Sequence, residues 1–162
     1  MTGACEHHID VAVIEGDWDD RVGLLARRAA AATLAVAAPR EKRELSLALA
    51  DDATVQQLNR DYCGRDAPTN VLAFTSGDTG ARVPLGDVVV AATTVAREAG
   101  EQHKSFDDHF CHLVIHGTLH LLGHDHADDD AAARMEALER EILATLGIAD
   151  PYGDTDRGGV TS

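Results

Sequence analysis

The strongest chemical signal in the chain is a run of histidines. The segment reads His116-Gly117-Thr118-Leu119-His120-Leu121-Leu122-Gly123-His124-Asp125-His126, and six of the nine histidines lie between His109 and His126. His116 and His120 are four residues apart, so on a helix they share one face and can grip one ion. Gly123 allows the chain to turn back, which lets His126 reach the same point. Imidazoles in a Leu-rich helical stretch are costly to bury unless something bonds their nitrogens, and a metal does that. Three imidazoles make zinc, one ion per chain, the expected metal, and three protein ligands leave a fourth position open, as catalytic sites do. Zinc held in this way lowers the pKa of its bound water to about 7.

The neighbours of these ligands have smaller expected roles. His112 lies one turn before His116 and is a candidate to support it from outside the ligand set. Asp125 is a candidate to orient a ligand ring. His109 is expected at the surface. His124 and His126 are too close in sequence to share one ion comfortably, and the room after Gly123 favours His126. The spacing His-x3-His-x2-Gly-x2-His is also that of zincin proteases, in which a Glu follows the first histidine as general base. Gly117 occupies that position. A zinc protease is thus an alternative with ligands but no base.

These residues need a scaffold. Alternation of Ile9, Val11 and Val13 predicts a strand over 8–14. A helix capped by Asp17 is expected to run to about Ala37, where Pro39 ends it. Leu45, Leu47 and Leu49 predict a second strand, and Asp51 or Asp52 caps a short helix to about Asn59. A loop with Gly64 and Pro68 leads to a strand at Val71 to Phe74, and Leu85 to Ala92 is a buried strand. The second half is helical: Thr94 to Glu101, then Phe106 to about Leu122 opened by Ser105 with Asp108, then a final helix after Asp128. Met135, Leu138, Ile142 and Leu146 give that last helix an apolar face. The expectation is an α+β fold: a small sheet of about four strands packed with helices, with the metal site in a cleft beside the histidine-bearing helix. Residues 1–150 form one domain, and 151–162, rich in Gly and Asp, form a disordered tail.

Composition limits the partners. With 162 residues, 44% hydrophobic and 26% charged, the chain is an ordinary soluble domain in composition. No apolar run approaches the roughly 20 residues that span a bilayer, and no secretory leader is apparent, so no membrane is expected and the expected location is the cytoplasm. Cys5, Cys63 and Cys111 are odd in number and far apart, against a disulfide framework. Cys111, in an apolar helical stretch, is expected to be a buried, inert thiol. The net charge of -14 argues against a nucleic-acid surface over the whole molecule. Its distribution is uneven. Residues 125–162 carry ten acidic and three basic residues, whereas 21–65 carry eight basic and five acidic.

The segment also resembles a specific signature. His-Gly-x-Leu-His-Leu-x-Gly-x-Asp-His is that of the YbeY family, bacterial endoribonucleases and rRNA maturation factors, and His116 through His126 match its fixed positions. Leu58-Asn59-x-x-Tyr62, Asp66-x-Pro68-Thr69-Asn70-Val71-Leu72-x-Phe74, and Leu85-Gly86-Asp87-Val88-Val89 are similar to its central segments. The likeness spans roughly 45–152. It implies zinc-dependent cleavage of single-stranded RNA, maturation of the 3′ end of small-subunit (16S) rRNA, and ribosome quality control. The implied partners are that rRNA and ribosome-associated proteins, with no DNA. The family carries an Arg directly after the loop Tyr, and this chain has Cys63 there. Arg65, two residues on, is the candidate catalytic cation, while Thr69 and Asn70 are expected to shape the cleft wall. A ribosome assembly factor with little cleavage of its own is a further alternative.

Overall fold

The computed structural model describes residues 8–13, 20–38, 44–63, 70–75, 84–124 and 128–148. In chain order these form β1 (His8–Val13), α1 (Asp20–Ala37), β2 (Glu44–Ala50), α2 (Asp52–Cys63), β3 (Val71–Thr75), β4 (Pro84–Ala91), α3 (Ala92–Glu101), α4 (Phe106–Leu121) and α5 (Asp129–Thr145). The fold is α+β. The expected tail at 151–162 lies outside the described residues. No described helix is long and apolar enough to cross a membrane.

The four strands make one mixed sheet in the order β1-β2-β4-β3. β1, β2 and β4 run parallel, which requires crossovers; α1 makes the first, and α2 with β3 makes the second. β3 pairs antiparallel with β4, Val71 opposite Val90, and forms one border of the described sheet. Alternation along the strands separates two apolar clusters. Ile9, Leu45, Leu47, Leu49, Val88 and Val90 face α1, α4 and α5 in the larger one. Ala50, Leu72, Val89 and Ala91 face Val55 and Leu58 of α2 in the smaller.

α4 is the axle of the larger layer. Phe110, Val114, Ile115 and Leu119 are fully buried on its apolar side, while His112, His116 and His120 mark a second, polar face. The hydroxyl of Thr118, within the histidine motif, donates to the Val114 carbonyl at 2.8 Å, so its polarity is satisfied inside the helix. Burial, together with the charges of Asp107 and Asp108, pushes the Cys111 thiol up to about 12, which leaves it inert near neutral pH.

Side-chain caps fix where the helices begin. Ser105 accepts from the Asp108 amide at 3.0 Å and Asp128 from the Ala131 amide at 2.7 Å. Asp51 caps α2 by accepting from the Thr54 amide at 2.8 Å; the Thr54 hydroxyl first, and then this amide, hold its carboxyl below the usual carboxylate range. α3 follows β4 with no loop, and its N-cap, Ala91, has no capping side chain. Asp52 of α2 supplies the cap instead, accepting from the Thr94 amide at 3.0 Å and its hydroxyl at 2.8 Å. α2 is longer than its composition suggested, reaching Cys63 rather than Asn59.

Glycine stops end two of the helices that build the site. After α4 the Gly123 amide donates to the His120 carbonyl and the His124 amide to the Leu119 carbonyl, each at 3.0 Å. Gly123 takes φ 102° to do this, a region open to glycine at little cost. Gly147 repeats the arrangement after α5 at φ 77°.

Candidate functional site

A cleft of about 610 Å³ opens between α4 and β3. From α4 it is lined by His112, His116, Gly117 and His120, and from the sheet border by Asn70, Val71 and Ala73. Four residues singled out from the sequence, His112, His116, His120 and Asn70, therefore meet at one place. His126, Asp125, Thr69 and Arg65 lie outside the described residues.

The rings of His116 and His120 stand side by side, centroids 4.9 Å apart and planes at 79°. Two imidazoles one helical turn apart at this separation suit bonds of about 2.0–2.1 Å to a shared ion. Among the described residues no third His, Cys, Asp or Glu joins them in a cluster. The remaining expected ligand is His126. The donor chemistry, two adjacent imidazoles on a cleft wall, fits a divalent ion of zinc's preference.

Behind His116 is a group that the sequence analysis passed over. Glu139 of α5 has no exposure to solvent, yet it sits among Met135, Ile142 and Leu143. Its two oxygens are both used: one lies 2.9 Å from His112 Nε2, the other 2.7 Å from His116 Nδ1. A buried carboxylate needs such partners, because removing its charge from water is costly. The sequence did carry a signal for it. Glu139 is four residues after Met135 and three before Ile142, so the apolar face of the last helix necessarily includes it.

A second carboxylate holds the other end of the cleft. Glu98 of α3 accepts from Asn70 Nδ2 at 2.9 Å, and its Oε1 also lies 2.9 Å from His109 Nε2. The Asn70 carbonyl takes the Ala91 amide at 2.9 Å, so both the backbone and the side chain of Asn70 are tied down. The expectation that His109 is exposed is wrong: it is 95% buried, being 5% exposed. The reason is Glu98, which gives the ring a partner and so allows burial. Its Nδ1 has no partner among the described residues.

Gly117 explains why no general base follows His116. A Cβ at this position would stand 2.9 Å from Val88 Cγ1 and 3.3 Å from Val71 Cγ2. The helix backbone meets the sheet there across the methyls of Val88 and Val71 alone. A glutamate in the zincin position would have to push α4 off β4, so the protease alternative lacks both the base and the space for one.

Comparison with known proteins identifies the fold and the family. The solution structure of TM1509 from Thermotoga maritima shares the fold, with a TM-score of 0.56 at 21% identity over 88% of this chain and 97% of that one. Proteins named Endoribonuclease YbeY from Parvibaculum lavamentivorans and Paramagnetospirillum magneticum are 52% and 58% identical to this chain over 156 and 135 residues. These alignments cover 90% and 79% of the chain, and 84% and 82% of the relatives. A family model described as Endoribonuclease YbeY matches residues 14–147, from the end of β1 to the glycine that stops α5. The histidine helix, the sheet border facing it and the helix that carries Glu139 all fall inside that span, and the chain belongs to the YbeY endoribonuclease family.

Proposed function

We propose that this protein is a zinc-dependent endoribonuclease that cuts single-stranded RNA and acts in 3′-end maturation of small-subunit (16S) rRNA and in ribosome quality control in the cytoplasm. Ribosome-associated proteins would be its partners in that setting. The observation that carries the reading is the pair His116 and His120 on the wall of an open cleft, in a chain of this family.

One zinc ion would be held by His116, His120 and His126. Bound there, it supplies Lewis acidity toward a phosphodiester or a water molecule. The chain's own residues do the rest. A cleft of about 610 Å³ is of a size that takes a few units of one strand, within the usual range of small-ligand sites. Asn70 lines the cleft wall, held there by its Nδ2 donating to Glu98. Arg65 is assigned the stabilisation of negative charge developing on the phosphate. The net charge of -14 means that RNA must be drawn by such local cations rather than by the molecule as a whole.

Cleavage of precursor rRNA by the wild type and by His116→Ala, with metal analysis of both, tests this. The wild type is expected to hold about one zinc per chain and to cut, and the variant to lose both properties. Equal cleavage by the two would refute a role for the histidine site. Analysis of the product ends identifies the nucleophile: 2′,3′-cyclic phosphates assign attack to the ribose 2′-hydroxyl rather than to water.

A further inference from the structure

His112 and His116 approach Glu139 by different corners of their rings. His112 presents Nε2 and His116 presents Nδ1, to separate oxygens of one carboxylate. A carboxylate only accepts, so each of these nitrogens must carry a proton. Two histidines one turn apart on the same helix are thereby given opposite tautomers. His116 becomes the Nδ1–H form, with its lone pair on Nε2. His112 becomes the Nε2–H form, donating that proton to Glu139.

We infer that Glu139 is a positioning residue that divides the work between the two rings: His116 coordinates through Nε2, and His112 acts as the brace that holds the carboxylate in place. The inference rests on the proposed role of His116 as a metal ligand. Three features support it. The distances of 2.7 and 2.9 Å are those of charge-assisted hydrogen bonds. Glu139 is fully buried, so solvent does not compete for its oxygens. It projects from the middle of a helix fixed at both ends, by Asp128 at the start and by the Gly147 turn at the finish. For stability alone the whole trio of Glu139, His112 and His116 is replaceable by packed apolar side chains, since well-packed apolar groups commonly match or exceed buried polar networks. Orientation of a ligand imidazole by a carboxylate is a role that apolar side chains cannot take.

The test uses the full chain, first without metal. Proton–nitrogen correlation spectra of the imidazoles at mildly alkaline pH should show His116 protonated at Nδ1 and His112 at Nε2. The same tautomer on both rings would mean that Glu139 is protonated and donates to one of them, which overturns the inference whether or not the protein binds zinc. Glu139→Gln then removes one acceptor while keeping size. The amide must donate to one ring, so one tautomer must switch, and zinc affinity measured by chelator competition should fall by about 10–100-fold. Unchanged zinc affinity in a folded Glu139→Gln protein also overturns it. Failure of the wild type to take up zinc would instead refute the ligand reading, while the metal-free spectra still decide the arrangement of Glu139. They decide it equally if the variant does not fold.

Discussion

Two carboxylates grip histidines of the same helix, and they do so under different conditions. Glu98 holds His109 near the start of α4 and shares its grip with Asn70; its side chain is 26% exposed. Glu139 holds His112 and His116 further along and is entirely buried. Near solvent, water can take over part of a lost bond, so removing Glu98 costs the fold less, even though the His109 ring that it holds is buried. In the interior no water is at hand, so the bonds to Glu139 determine which nitrogen of each ring carries a proton. The comparison separates a contact that positions backbone and amide from one that sets the chemistry of a ring.

Replacing each carboxylate breaks the comparison most directly. Glu139→Ala should cost roughly 3–5 kcal/mol of folding stability, since two charge-assisted hydrogen bonds worth about 1.5–3 kcal/mol each are lost and a hole remains. Urea unfolding monitored by circular dichroism measures it, and a loss below about 1 kcal/mol would place Glu139 in the same class as Glu98. Gly117→Ala comes next. It inserts a methyl at 2.9 Å from Val88, and overpacking of this kind costs about 1–3 kcal/mol. Because α4 must shift to admit it, zinc affinity should fall together with stability; a stable variant with intact affinity would show that the helix can move without disturbing the histidines. Glu98→Ala should have the smallest effect, about 1 kcal/mol in the same unfolding assay. Its mark should appear instead as a raised KM for RNA with kcat little changed, because Asn70 loses its anchor while the imidazoles keep theirs. A fall in kcat with KM unchanged would contradict that division.

Much of this site was legible in the sequence, and what was missed has a physical pattern. His116 and His120 could be read because a helix turns a spacing of four into adjacency, which local geometry alone decides. The boundaries of α4 could be read for the same reason, from Ser105 at one end and Gly123 at the other. Glu139 was passed over because its partners are 23 and 27 residues away, on a helix whose docking no local pattern specifies. His109 was misplaced at the surface because Glu98, eleven residues before it, lies across a turn between two helices. The sheet order escaped as well. Four strands could be counted from alternation, but the antiparallel seating of β3 beside β4 depends on a pairing whose register is set only once the sheet assembles.

The contact at Gly117 bears on how wide the cleft can be. Where a helix and a sheet are separated by side chains, their spacing can drift as those side chains repack, one rotamer or one methylene at a time. Here the helix contributes no side chain, and only the methyls of Val88 and Val71 stand between its backbone and the sheet, which leaves little to repack. The gap is therefore already close, with no room for even one added methyl unless a neighbour shifts. Two of the cleft's walls, the histidine face of α4 and the border strand β3, take their separation from it. Any strand of RNA that enters meets an opening whose gauge was set by the folding of the core, before a ligand arrived.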